Sequence, residues 1–372
     1  MNNQADLRRK LNAARQQVAA HAAEELASGK NVDEDLARLE VYDKVVRALP
    51  SSKFHDLYPA TLIAICCLLA ASIAWTIHVP NTRIHLQVNS TSLTVALAAP
   101  INWSDRWHLG NSGIRLNGFS SFELPPELHT ADPLPPGASL MITGGTITIT
   151  GIDVDQNASL FILENQSGDV DIETTKQAFN GQLDISGQPT ITARSGGNSP
   201  ITLPSAMFDP PGTVSFHREG GGSIIPAQLE TRVSEKLRLP RLQVRNLSLF
   251  TETTGEKQEP AFVSTITAGR LILADTGATV DLKSGDPLYL EDANGLASVI
   301  EIGPTGIDTL FDGKVKRVKR VGIGTGDFEQ NLTPTILEYV YHRQKLSFFW
   351  GAVTFLWGFG WSVRKLFVAR RS

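Results

Sequence analysis

From Leu57 to Ile77 the chain reads LYPATLIAICCLLAASIAWTI, without one Asp, Glu, Lys or Arg. A hydrocarbon core ~30 Å thick takes ~20 apolar residues as a helix, because no water is present there to satisfy an unpaired backbone. The run therefore predicts a transmembrane helix over 57–78, with Tyr58 and Trp75 near its two interfaces. The mostly polar segment before it sets it apart from a cleaved secretory leader. Cys66 and Cys67, the chain's two cysteines, lie inside the run and read as small apolar residues, with no metal-ligand spacing or disulfide partner.

A second apolar run, LSFFWGAVTFLWGFGWSV, covers Leu346 to Val363 and predicts another span. Flanking cations orient both. Arg38, Lys44, Arg47 and Lys53 precede the first span, and Arg83 stands alone after it. Arg343 and Lys345 precede the second, while Arg364, Lys365, Arg370 and Arg371 follow it. Positive charge marks the cytoplasmic side. Both termini are expected inside, with residue 364 onward a basic tail, and the long middle outside. In a bacterium this describes a two-span inner-membrane protein with a periplasmic domain. Gly351, Gly358 and Gly360, interleaved with Trp350, Trp357 and Trp361, would allow close helix approach within the membrane or simply face lipid.

Residues 1–50 read as a cytoplasmic helical hairpin. Leu7, Leu11, Ala14, Val18 and Ala22 recur at helical spacing, and SGKN at 28–31 breaks the pattern. Asn31 or Asp33 would cap a second helix carrying Leu36, Leu39, Val45, Val46 and Leu49, ended by Pro50. Two such helices bury little alone, so a hairpin packing on itself, on a copy or on another protein is expected.

Between Val79 and Asn331 the period changes to two. SLMITGGTITITGIDV, SLFILEN, GDVDIET and GQLDISG alternate apolar and polar positions between Gly, Asn, Ser and Pro turns. The fold expected is a mainly β extracytoplasmic domain, a sandwich or a small β-solenoid, flanked by the two transmembrane helices. The Pro- and Gly-rich stretch Phe208–Pro226 divides it into 79–210 and 211–331, unless one sheet system runs through both. NLTPTILEYVYHRQKLSFFW then predicts a juxtamembrane helix over 334–345, capped by Thr333 and continuous with the span at 346–363.

The search for chemistry yields little. A net charge of −4 argues against a nucleic-acid partner. The eight histidines form no H-E-x-x-H or Cys/His cluster. GGGS at Gly220–Ser223 lacks the Lys and helix of a phosphate loop. Trp103 and Trp107, with Arg106 and His108, would line a cleft or fill the core. KVKRVKRV, Lys314 to Val321, would meet anionic headgroups or, more simply, form an exposed edge strand guarded by lysines.

One motif stands out. In GRLILADTGATVDL, Asp275-Thr276-Gly277-Ala278 follows an apolar strand, and Leu271–Ala278 resembles the catalytic loop of retropepsin-like aspartic proteases. The resemblance implies Asp275 as acid/base, paired with a second aspartate close enough to share a proton. A chain with one such motif would have to dimerise. No second D-T-G follows: Asp308-Thr309-Leu310 lacks the glycine, and VGIGTG at 321–326 abuts the basic run. Asp, Thr and Gly are also ordinary turn residues. The expectation is a turn, with no catalytic, cofactor-binding or metal residue in the chain. The function expected is non-enzymatic: a periplasmic β-domain that binds or scaffolds envelope components within an assembly, secretion or transport complex. Partners would be envelope proteins, proteins at the cytoplasmic helices, the bilayer and a second copy, but no nucleic acid. A transmembrane signal transducer and a membrane-tethered aspartic protease are the alternatives.

Overall fold

The computed structural model describes residues 2–371 apart from 30–31, 49–53, 111, 129–133, 136, 165–167, 176, 195–199, 205, 221–224, 233–235, 255–259 and 322–328. Asn31, Pro50, most of the GGGS stretch and Gly322–Gly326 lie outside the described residues, as do the side chains of Leu7, Val46 and Leu49. The chain forms two compact units, one of residues 75–344 and one of residues 1–74 with 345–372.

In the helical unit, α1 (Asn2–Ala27) and α2 (Asp33–Ala48) make a hairpin. Leu11, Ala14, Val18 and Ala22 form the more buried stripe of α1. On α2 the buried stripe is not the expected one. Leu36 and Val45 are exposed, whereas Val32, Asp35, Leu39 and Tyr42 turn inward. The shift follows from where α2 starts: with Val32 buried at its head, the 3.6-residue period selects positions 35, 39 and 42. Ion pairs join the helices, Arg15 to Asp43 at 2.9 Å and His21 to Asp35 at 2.8 Å. Helix α3 (Phe54–Thr76) carries the apolar segment Thr61–Thr76. Within α5 (Lys345–Arg371), the Lys345–Arg364 segment of 20 residues is long and apolar enough to cross a membrane. It extends ~30 Å at ~1.5 Å per residue, and Leu346, Phe349, Trp350, Leu356 and Trp357 are exposed along it.

The other unit is mainly β, with a 15-stranded sheet, a 6-stranded sheet, a 2-stranded ribbon and a 3-stranded sheet. Every strand pairing among the described residues is antiparallel, so the expected alternative of a parallel-stacked solenoid does not apply. Both large sheets contribute to one hydrophobic core. Alternation drives it: in strand Thr82–Ser90, Ile84, Leu86 and Val88 point inward while Arg83, His85 and Gln87 face out. Phe179 and Phe216 of the smaller sheet, and Phe119 on the connection leading into it, are fully buried, with the Phe119 and Phe216 ring centroids 4.8 Å apart and edge-on. Gly181 pairs directly with Phe216, and a Cβ there would lie 2.2 Å from the ring, so no larger residue fits.

Strands from 79–210 and 211–331 interleave. Asp169–Thr175 pairs with Ala227–Arg232, and Ser92–Leu97 with Leu242–Ser248. The stretch expected as a boundary contains a strand, Phe208–Arg218. Pro210 and Pro211 fall in a register irregularity between the Gly187–Phe208 and Ile185–Gly212 pairs, where proline is tolerated.

Helix α4 (Ile336–Arg343) is not continuous with α5. Gln344 leaves helical conformation (φ −133°, ψ 56°) and α5 begins at Lys345. Its cap is Thr335, not Thr333, because Thr335 and Glu338 make a reciprocal capping box. Thr333 is instead buried and accepts from the Val318 N–H at 2.9 Å. The two ends of the β unit are held together: Val79 N–H donates to Pro334 O at 2.9 Å and Ile336 N–H to Ile77 O at 3.0 Å.

Candidate functional site

The hairpin Ile266–Leu273 and Ala278–Lys283 presents the D-T-G-A sequence at its tip. Leu273 O accepts from the N–H groups of Thr276 (3.2 Å) and Gly277 (2.7 Å). Gly277 holds φ +71°, a left-handed value that favours glycine. Thr276 Oγ1 accepts from Ala278 N–H at 3.3 Å. Every letter of the motif thus has a turn-forming task.

Asp275 has one as well. Ala274 N–H donates to Arg83 O at 2.9 Å, and Arg83 N–H donates to the Asp275 carboxylate at 2.9 Å. The side chain acts as the next carbonyl of the ladder, extending the pairing of this hairpin with strand Thr82–Ser90 by one rung. Asp308 pairs across from Asn89, further along the same strand. From Arg83 to Asn89 that strand spans ~20 Å at ~3.3 Å per residue, far beyond the ~3 Å at which two carboxyls share a proton.

The same hairpin borders a shallow groove of about 680 Å³ on the outer face of the large sheet, lined among others by Gln87, Asn89, Gly269, Arg270, Asp281 and Asp308. Its groups are engaged with one another. Arg270 Nε donates to Asp281 at 3.1 Å, and Asn89 Nδ2 donates to Asp308 at 2.7 Å. Lys236 Nζ lies 3.5 Å from Glu301 and 4.0 Å from Asp308. Amides, carboxylates and cations are spread across five strands, an arrangement suited to hydrogen-bonding an extended polar partner. No nucleophile stands beside a base among these described residues, as acyl or phosphoryl transfer would require.

Elsewhere on this sheet, Asp171 faces Glu230 directly across the strands. Burial first, and then the Glu230 charge, push the Asp171 carboxyl above its ordinary value. Glu173 is likewise raised, by burial and then by Asp171. Arg115 partly relieves the crowding through an ion pair with Glu230 at 2.8 Å.

The remaining sequence candidates resolve into structural roles. Trp103 and Trp107 are buried with their rings in contact, and Trp107 Nε1 donates to Arg238 O at 3.2 Å. His108 hydrogen-bonds Thr148 Oγ1 at 3.0 Å while Arg106 is exposed, so the four line no common cleft. The basic run is not an edge: strand Arg317–Val321 lies between Leu288–Glu291 and Glu329–Asn331. Three of its cations pair within the unit, Lys316 with Glu291 at 2.7 Å, Arg317 with Glu291 at 3.8 Å and Arg320 with Asp286 at 2.7 Å. Burial alone would raise the Asp286 carboxyl, but hydrogen bonds from Arg320 and the Lys283 N–H, with their charges, hold it below its ordinary value.

One convergence of metal-ligand side chains exists among the described residues, and it lies in the helical hairpin: His21, Glu25 and Asp35. The i, i+4 spacing of His21 and Glu25 was visible in the sequence, but Asp35 joins them only when the hairpin closes. No protein-family model matches the chain, and no curated protein sequence matches it.

Proposed function

We propose that this chain is a non-catalytic scaffold of a bacterial inner membrane, spanning it twice through 57–78 and 346–363. Both termini lie in the cytoplasm, and the β unit stands in the periplasm as the surface on which envelope proteins assemble. The observation that carries this reading is the use of Asp275. The single catalyst-like carboxylate is consumed in holding a turn onto strand Thr82–Ser90, with its nearest motif-like counterpart about 20 Å along that strand. What the unit offers instead is a broad antiparallel face with an open, internally satisfied polar groove. The apolar exposed surface of the Lys345–Arg364 segment supports anchorage, and the charge asymmetry of the flanks supports the orientation.

Site-specific photo-crosslinking in native membranes tests the proposal. A probe at Gln87 or Arg270 in the groove is expected to trap one or a few reproducible envelope proteins. A probe at exposed Met207, away from the groove, should not trap the same set. Adducts absent at all positions, or identical at all, would sink the scaffold reading.

A further inference from the structure

The seam of the α1–α2 hairpin changes character at its closed end. Its apolar part is built from Leu11, Ala14, Val18 and Ala22 against Val32, Leu39 and Tyr42, with Arg15 and Asp43 paired across the helices. Continuing the same helical spacing, the next α1 position is Glu25, and the α2 position between Val32 and Leu39 is Asp35. Both are turned toward the seam: Glu25 is half-buried, and the Asp35 side chain is only 12% exposed. Two carboxylates are thus brought to one end of the seam, where a cation held between them would balance their charge.

His21, one helical turn before Glu25, completes the group. Its Nδ1 lies 2.8 Å from Asp35 Oδ2, and one ligand atom from each of the three residues falls within 4.8 Å of the others. We propose that this triad binds a single divalent cation of the zinc type, through His21 Nδ1 and one oxygen each of Glu25 and Asp35, leaving the fourth position to water. Donors around a tetrahedral zinc at ~2.0–2.1 Å stand about 3.3 Å apart. Small side-chain rotations bring the three to that spacing, opening the His21–Asp35 contact slightly and drawing Glu25 in. One imidazole with two carboxylates suits zinc better than the all-oxygen preference of calcium or magnesium. The ion would neutralise the acidic end of the seam and staple α1 to α2 beside their connection.

The test uses the full-length, tag-free chain in detergent micelles, titrated with Zn2+ against a chromophoric chelator, with Co2+ absorption as a geometric probe. One equivalent is expected. His21→Ala and Asp35→Asn should each reduce affinity at least ten-fold, and His217→Ala should leave it unchanged. Far-UV circular dichroism checks that the variants keep their helices. Glu25→Gln, a near-isosteric change, supplies a milder variant with the same expected direction. Hydrogen exchange over 20–36 should slow on adding Zn2+ to the wild type and not to Asp35→Asn. Binding below one equivalent, or one equivalent that survives all three triad substitutions, overturns the proposal.

Discussion

Replacing Asp275 separates a turn clamp from a catalyst, because the two readings rank its substitutions differently. The carboxylate accepts one hydrogen bond, from Arg83 N–H at 2.9 Å, and is half-buried. A hydrogen bond to a charged group contributes ~1.5–3 kcal/mol when well shielded, and partial exposure here reduces that to about 1–2 kcal/mol. Asp275→Ala loses the acceptor and leaves Arg83 N–H to water or to nothing. Asp275→Asn keeps a carbonyl oxygen in place and should cost under ~1 kcal/mol. For a unit of this size the alanine variant should melt roughly 2–8 °C lower, and the asparagine variant close to wild type. Calorimetry of the full-length chain in micelles measures the difference, and hydrogen exchange at the start of strand Thr82–Ser90 localises it. A catalytic carboxylate behaves otherwise: asparagine cannot take up the proton, so both variants would abolish a cleavage activity equally. Equal destabilisation by Asn and Ala, or a proteolytic activity lost in Asp275→Asn, would refute the turn-clamp argument.

Gly181→Ala should destabilise the β unit by about 1–3 kcal/mol, since its Cβ would stand 2.2 Å from the Phe216 ring and 3.0 Å from Gly151 O. Denaturant unfolding of Gly181→Ala, Phe216→Leu and the double variant should show the double costing less than the sum of the singles. Asp171→Asn should stabilise the chain at neutral pH by about 0.2–1 kcal/mol by removing the like charge opposite Glu230. The raised carboxyl binds its proton more tightly folded than unfolded, so its cost is complete at pH 7 and fades as pH falls. The advantage of Asp171→Asn should therefore shrink toward pH ~4, and unfolding midpoints measured between pH 4 and 7 check the trend.

How much of this could be read from the letters depended on distance along the chain. Alternation made the strands legible, and Asp-Thr-Gly reads as a turn because each residue satisfies a local backbone need. Thr335 and Glu338 form a capping box visible as T-x-x-E, although Thr333 had the stronger look beside Pro334. The break at Gln344 had no signal, since HRQK contains neither Gly nor Pro and each residue suits a helix. It falls where one compact unit gives way to the other. Which strands pair was illegible, because the partners are set by side-chain fit across long separations. Asn89, Arg270 and Asp308 come together only through such pairing, so the groove they border left no local trace.

That topology also bears on why both ends would be anchored. Strand Thr82–Ser90 emerges first from the apolar helix, yet its two neighbours are Ile266–Leu273 and Gly306–Val315, near the far end of the domain. Until those strands arrive, the buried face of Ile84, Leu86 and Val88 is bare and both edges are open, the condition in which strands pair with the wrong chain. Long-range closure of this kind is entropically costly and slow. In the proposed topology the second span returns the chain to the same membrane, and the contacts of Ile77 and Val79 with Ile336 and Pro334 join entry to exit. Anchoring the last segment confines the closing strands to the neighbourhood of the first. It raises their effective concentration over that of any second copy, which a single anchor would not do.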